Sequence, residues 1–550
     1  MATKSTLSVL GLPLLLIYFF IRNAEALFTH TSLTKSSLAL AGGVFYLCFL
    51  FSFALFKLYI YPFYFSPLRN LPEPKGSGWL WAHASQIRSN HNGEPYRRWI
   101  SSVPNKGLIR FRTLFNQERI FLTSTEALRE VLVTNSYDFV KPEQASFTFR
   151  KILGDGVLVA EGPSHKRQRK ILMPAFAFRH IKDLYPVFWT QALKSVHAIT
   201  TAISTPSLPG QRPSNIQNTY DWASRTTLDI IGVAGMGFEF NSISNVNGDI
   251  YRSYHDLFMT EPPFFRWINI GVSIPFQYIF PIIKKIFPNM KSSVQTIRAV
   301  AYDLIRQKKE AAEKGRKMGV DILSVAMESG GLNDDELANQ VMTFLAAGHE
   351  TTASALTWTM FLLCRHPEVQ RRLREEVRGK LVDGSTGKLK DEVDALEIDH
   401  LPYLNAVCNE VLRIMPSVPL TIRVPTRDTT ILGQAVPKGT HVLMAAWAMN
   451  VSKEYWGEDA LEFNPERWMT EGNSNSGGVT NNFANLTFLH GPRSCIGKDF
   501  SKSELLCLVA AWFGNFECEL ETPRLEKDMI GWVTLRPKHG LPVRFKQIMG

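Results

Sequence analysis

Phe488-Leu489-His490-Gly491-Pro492-Arg493-Ser494-Cys495-Ile496-Gly497 sets a cysteine in a loop bracketed by glycines, and the loop leads into an apolar helical pattern over 499–513. Gly491 and Gly497 permit backbone conformations that aim amide N–H groups at sulfur, and the start of the following helix favours negative charge there. The pattern suits a thiolate, the soft ligand that iron accepts. The other cysteines, Cys48, Cys364, Cys408, Cys507 and Cys518, lie in apolar contexts without paired or metal-finger spacing. That excludes a disulfide scaffold and points to a reducing compartment for the body of the chain.

Upstream, an apolar pattern over 334–366 covers 33 residues, about 50 Å if it is one helix. Asn333 can cap it, Glu336 stands at the capping-box position, Asp334 and Asp335 suit the positive end of the dipole, and Pro367 starts the next helix. In its middle lies Ala347-Gly348-His349-Glu350-Thr351-Thr352. A mid-helix glycine costs about 1 kcal/mol relative to alanine, and Thr351 can hydrogen-bond the Ala347 carbonyl four residues back. The helix is therefore weak at a point where it could admit a small ligand.

Glu410-Val411-Leu412-Arg413 puts Glu and Arg on one face of a helix over 402–415. The spacing alone says little, since Glu126/Arg129, Glu368/Arg371, Glu375/Arg378 and Glu521/Arg524 repeat it, as solvated helix pairs or by chance. Phe463-Asn464-Pro465-Glu466-Arg467-Trp468 follows downstream. Gly162-Pro163-Ser164-His165-Lys166-Arg167-Gln168-Arg169 is a basic stretch entering a helix; a solvated charge run is its plain reading. Strand-like patterns lie at 108–122, 422–443 and 532–545, amid predominantly helical ones.

The chain has 550 residues, 45% hydrophobic and 20% charged, with 36 Gly and 30 Pro, which excludes collagen-like and mostly disordered classes. The net charge of +11, from 61 Lys and Arg against 50 Asp and Glu, favours an anionic membrane, an acidic protein or nucleic acid as counter-surface. Residues 36–56 are uncharged and long enough to span a bilayer; residues 5–21, broken by Pro13, form a second and shorter apolar stretch that a cleavable signal peptide would also explain. Lys57, Arg69 and Lys75 place the body on the cytosolic side. The expected organisation is a membrane anchor over 1–61, a Pro/Gly-rich hinge over 62–78, with Pro62 stopping the membrane helix, and one body over 79–550.

Taken in order, His165/Arg169, Ala347 to Thr352, Glu410/Arg413, Phe463 to Trp468 and Phe488 to Gly497 resemble the motifs of the cytochrome P-450 monooxygenases. The resemblance covers the chain from about residue 62 to its end. It implies a mainly α fold with small β-sheets, one large haem-thiolate domain behind a membrane anchor. It makes Cys495 the axial ligand of the haem iron, in the loop of Phe488, Gly491 and Gly497. Arg493, Arg169, His165 and Arg423 become contacts to the haem propionates, with His165 where the family more often has tryptophan. A histidine ring nitrogen can donate to a carboxylate as an indole does. Glu350 and Thr351 become the relay of protons to iron-bound dioxygen. Glu410, Arg413 and Arg467 become a buried ion triad, and Phe344, Ala347, Val418, Leu420 and Trp532 line the substrate pocket. Asn450 stands where the family often has histidine.

The activity so implied is oxidation of a lipophilic small molecule with O2, in secondary metabolism, at the endoplasmic reticulum with the body facing the cytosol. Electrons would come from a separate NADPH-dependent flavoprotein reductase, since the chain has no Rossmann-type glycine fingerprint or appended flavin domain; Lys498, Arg371 and Arg372 are basic candidates for docking it. No nucleic-acid partner is expected. Two other classes stay open: a haem-thiolate isomerase or dehydratase needing no external electrons, against which the Glu350-Thr351 pair argues, and a non-catalytic membrane haem protein.

Overall fold

The computed structural model describes residues 35–79, 81–89, 93–207, 212–245, 248–258, 289–522, 529–531 and 533–548. The apolar stretch over 5–21 and the pocket candidate Trp532 lie outside them.

Three helices, Thr219–Met236, Glu350–Arg365 and Lys498–Asn515, are buried along nearly their whole length. They form the centre of one large core, in which Trp189, Trp358 and Trp512 are fully buried. The N–H groups of these three indoles find acceptors: Trp189 at the Lys390 carbonyl (2.9 Å), Trp358 at the Leu535 carbonyl (2.9 Å) and Trp512 at the Ser195 hydroxyl (2.9 Å). Strands are short and peripheral. A five-stranded sheet runs in the order Leu108–Arg112, Glu118–Leu122, His441–Met444, Thr421–Pro425, Phe139–Val140. All its pairings are antiparallel except Glu118–Leu122 with His441–Met444. A second sheet joins Ile216–Asn218, Pro542–Gln547 and Phe516–Leu520. The fold is mainly α with small β-sheets, as the sequence leads one to expect.

The helix expected over 334–366 is two helices, Asp334–Gly348 and Glu350–Arg365, parted at His349. The capping box at its start is present, with Asn333 and Glu336 exchanging hydrogen bonds of 2.9 and 3.1 Å. The Thr351 hydroxyl donates to the Ala347 carbonyl at 2.9 Å, the bond the spacing predicts. What the sequence does not show is Ile231 from the neighbouring helix, whose Cδ1 would stand 2.9 Å from a Cβ at Gly348. The break lies where low helix propensity, hydroxyl competition for a carbonyl and a close-packed neighbouring side chain coincide.

The N-terminal helix Lys35–Leu55 does not stop before Pro62. It winds on, wider, through Phe56–Phe65 with Pro62 inside and closes with the Ser66 N–H on the Tyr61 carbonyl at 2.8 Å. An i to i+5 winding tolerates the amide that proline lacks. In the apolar stretch Leu40–Phe65, 26 residues long, Pro62 alone is buried, and the length suffices for a membrane anchor.

The segment after it is fastened to the body. Arg110 and Arg112, both buried on the first strand, take Glu118 and Glu73 as ion partners at 2.8 and 2.7 Å. They also donate to the Pro62 carbonyl (2.7 Å) and the Ser77 hydroxyl (3.0 Å), and Arg112 covers the Phe63 ring at 4.4 Å. Tyr59 stacks on Trp79 at 5.2 Å.

Candidate functional site

The Cys495 loop is held from both sides. The Cys495 N–H donates to the Phe488 carbonyl at 2.9 Å. Gly491, at φ 75°, lets the loop pass so near the helical segment Glu130–Thr134 that a Cβ would lie 2.1 Å from the Leu132 carbonyl oxygen. Gly497 is different: its φ is −89°, open to any residue, and a Cβ there would meet Phe176 at an ordinary 3.7 Å. Conformational freedom is thus needed at Gly491 and not at Gly497. What Gly497 offers is its N–H, which hydrogen-bonds the Cys495 sulfur at the threshold of the helix Lys498–Asn515. Burial pushes the thiol pKa up, while that N–H and the Arg169 charge pull it down. The side chain is accessible even so, as expected of a residue lining an interior opening. Ala347, in mid-helix, is accessible in the same way.

The helix Gly162–Leu172 bridges this loop to the central helices. Arg169 donates to the Ser494 carbonyl (2.6 Å) and hydroxyl (3.3 Å). On the other side Gln168 accepts from Gln340 at 2.9 Å and Arg167 pairs with Glu336. Phe176 lies against Gly497 and meets the buried Phe344 edge-on at 5.6 Å. The structure therefore links the cysteine loop, Arg169 and Phe344 through direct contacts.

Around the start of that helix Arg493, Lys141 and Arg423 lie near one carboxylate, Glu161. Arg493 pairs with Glu161, and Lys141 does so at 3.2 Å. Burial pushes Glu161 upward, but Lys141 and Arg493 outweigh it and leave the carboxyl below its ordinary value. Arg423 is buried, its pKa lowered to about 10 by desolvation and then by Arg493; Lys141 is lowered to about 8 by desolvation and then by Arg423. Arg169 is lowered by burial. His165 is buried, and desolvation followed by Arg493, Lys141 and Arg169 lowers it to about 4, so the ring is neutral at pH 7. Arg493 Nε and Nη1 are buried without a hydrogen-bond acceptor. An excess of buried positive charge with unmet donors calls for anionic oxygens, and the two carboxylates of a haem would supply them. Lys141 and Glu161, which complete this cluster, are invisible to motif reading because each lies in a segment without a local signature.

Glu350 is buried at the first turn of its helix. Beside it His349, fully buried, shares a 3.1 Å hydrogen bond with the Ser224 hydroxyl and meets the Tyr254 ring edge-on at 4.2 Å. Ser417 donates to the Thr351 carbonyl at 2.7 Å, which brings the partly buried Val418 and Leu420 segment beside the break. The structure also shows Glu504, fully buried on the helix after Cys495; burial raises its carboxyl well above the ordinary range, with Thr352 acting in the opposite sense.

Glu410, Arg413 and Arg467 come together as expected. Arg413 Nε and Nη2 grip Glu410 at 2.8 and 2.7 Å, and Arg467 Nε reaches the same carboxylate at 3.2 Å. Trp468 adds an indole N–H at 2.9 Å and Asn464 a backbone N–H at 3.0 Å. Arg371 and Arg372 are engaged by Glu368, Glu375 and Glu466.

Residues 72–543 match the family model described as Cytochrome P450. The chain is 42% identical to cytochrome P450 monooxygenase sphH of Aspergillus fumigatus, over 90% of this chain and 91% of that one. It is 38% identical to cytochrome P450 monooxygenase ALT8 of Alternaria alternata, over 90% and 92%, and 38% identical to cytochrome P450 monooxygenase FUM15 of Gibberella moniliformis, over 89% and 90%. A family model spanning most of the chain, with relatives this similar over nine-tenths of their length, shows that the protein belongs to the cytochrome P450 family.

Proposed function

We propose that the chain is a haem-thiolate monooxygenase that oxidises a lipophilic small molecule, with Cys495 as the residue that would hold the haem iron. The observation that carries this is the pairing of a Cys495 sulfur met by the Gly497 N–H at a helix start with the orphaned, buried donors of Arg493 in a cationic cluster. Bound there, haem supplies the activation of O2. The residues of the chain do the rest. Arg493, Arg169, Arg423 and His165 hold the propionates, with Lys141 and Glu161 setting the local charge. The Gly497 N–H and the helix dipole stabilise the Cys495 thiolate. The break at His349 exposes backbone beside Thr351, where Glu350 and the Thr351 hydroxyl hold and pass protons. Phe344, Ala347, Val418, Leu420 and Trp532 orient an apolar substrate, which fixes the bond that is attacked.

Electrons come from a separate NADPH-dependent flavoprotein reductase on the cytosolic face of the endoplasmic reticulum. Arg371 and Arg372 already hold carboxylates, so Lys498, which is exposed, is the better docking cation of the three. The experiment is the reduced, carbon monoxide-bound difference spectrum of membranes holding the full chain, followed by product formation with reductase present and absent. The reading expects the red-shifted thiolate band, its loss in Cys495→Ala, and product only with reductase. A pigment whose spectrum survives Cys495→Ala overturns it.

A further inference from the structure

We propose that Tyr137 makes His165 a hydrogen-bond donor toward a carboxylate by fixing its neutral ring as the Nε2–H tautomer. The inference rests on the reading above that His165 meets a haem propionate. The Tyr137 hydroxyl lies 3.2 Å from His165 Nδ1, with ring centroids 6.0 Å apart. The Tyr137 ring is itself held by two cations, Lys166 Nζ at 4.3 Å and the Arg493 guanidinium at 5.1 Å from its centroid. A phenol so held keeps its hydroxyl at Nδ1. No other acceptor for that hydroxyl and no partner for Nε2 occurs among the described residues.

A neutral imidazole carries one N–H, and whichever nitrogen accepts a hydrogen bond leaves the proton on the other. His165 is neutral because it is buried and faces Arg493, Lys141 and Arg169, with Glu161 alone acting in the opposite sense. When the Tyr137 O–H donates to Nδ1, the proton sits on Nε2 and can be given to an anionic oxygen. In the other tautomer Nε2 would turn a lone pair toward that oxygen and repel it. An indole at the same position needs no such help, because its only polar atom is a donor. Tyr137 is thus a positioning residue that lets histidine serve where tryptophan is commoner.

The test uses the haem-loaded full chain and reads the rate of haem loss to an excess of a scavenging apoglobin, which does not depend on turnover. Tyr137→Phe keeps the ring between its two cations and removes only the hydroxyl. It should speed haem loss about tenfold, the size of one hydrogen bond to a charged group. In a His165→Trp background the same change should alter the rate less than about twofold. Tyr137→Phe without effect in the native background, or with the same effect in both, overturns the proposal. His165→Ala separates the two layers. If it leaves haem loss unchanged, the propionate reading itself fails; if it speeds the loss while Tyr137→Phe does not, only the tautomer assignment fails.

Discussion

Asn450 is fully buried and joins two parts of the site. Its side chain donates to the Arg413 carbonyl (3.1 Å) and the Thr487 hydroxyl (2.8 Å) and accepts from the Leu486 N–H (2.7 Å), while its own carbonyl accepts from Arg413 Nη1 (2.8 Å). The ion triad is thereby tied to the segment leading into the cysteine loop. Asn450→Ala orphans buried groups on both sides and should cost about 3 kcal/mol, read as a lower urea midpoint at unchanged slope. Asn450→His, with one donor and one acceptor, should recover part of that. His349 adds a pH dependence. Burial holds its folded pKa near 3, well below the ordinary 6.5, and His165 at about 4 has the same sign. On acidification the unfolded chain takes up protons at these rings before the folded one does. Stability is therefore complete above about pH 6.5 and falls as the pH drops toward 4 and 3. His349→Gln should flatten the acid limb of the denaturation midpoint plotted against pH.

At the scale of the element, the two glycines of the cysteine loop are a matched test. Gly491 combines φ 75° with a Cβ position 2.1 Å from a backbone oxygen, whereas Gly497 has an ordinary φ and open van der Waals space. Gly491→Ala should displace the loop and purify with little haem; Gly497→Ala, which keeps the N–H on sulfur, should purify with its full complement. The ratio of haem to protein after purification decides it. The same contrast shows what sequence can and cannot reveal. Asn333 and Glu336 form a capping box because three residues suffice to specify it, and Thr351 finds the Ala347 carbonyl because a helical turn brings them together. The interruption at His349 adjoins the contact between Gly348 and Ile231, more than a hundred residues away, and no local pattern carries that. In the site, Cys495 stands out because it sits in a dense motif, whereas Arg169 and the Glu410/Arg413 pair are singled out only by their order along the chain relative to the other motifs. Tyr137, Lys141 and Glu161 acquire their place only when the strand Phe139–Val140 and the helix Gly162–Leu172 converge.

For the whole molecule, Arg110 and Arg112 matter more than their appearance as strand charges suggests. They hold Glu73, Glu118, the Pro62 carbonyl and the Ser77 hydroxyl, so the segment that composition marks as a flexible joint is bound to the five-stranded sheet. Arg112→Met should free it and leave the partly buried Glu73 without its nearest cation. Brief trypsin treatment should then cut after the exposed Lys75 in the variant while the native chain resists, seen as early separation of the N-terminal piece; equal resistance in both would show that the ion pairs do not hold the segment. If the apolar helix sits in a bilayer, these bonds should hold the body at one angle to the membrane plane. A lipophilic molecule dissolved in the leaflet would then approach the same face of the protein at each encounter, its route inward selected by how the protein stands on the membrane before any side chain of the pocket is touched.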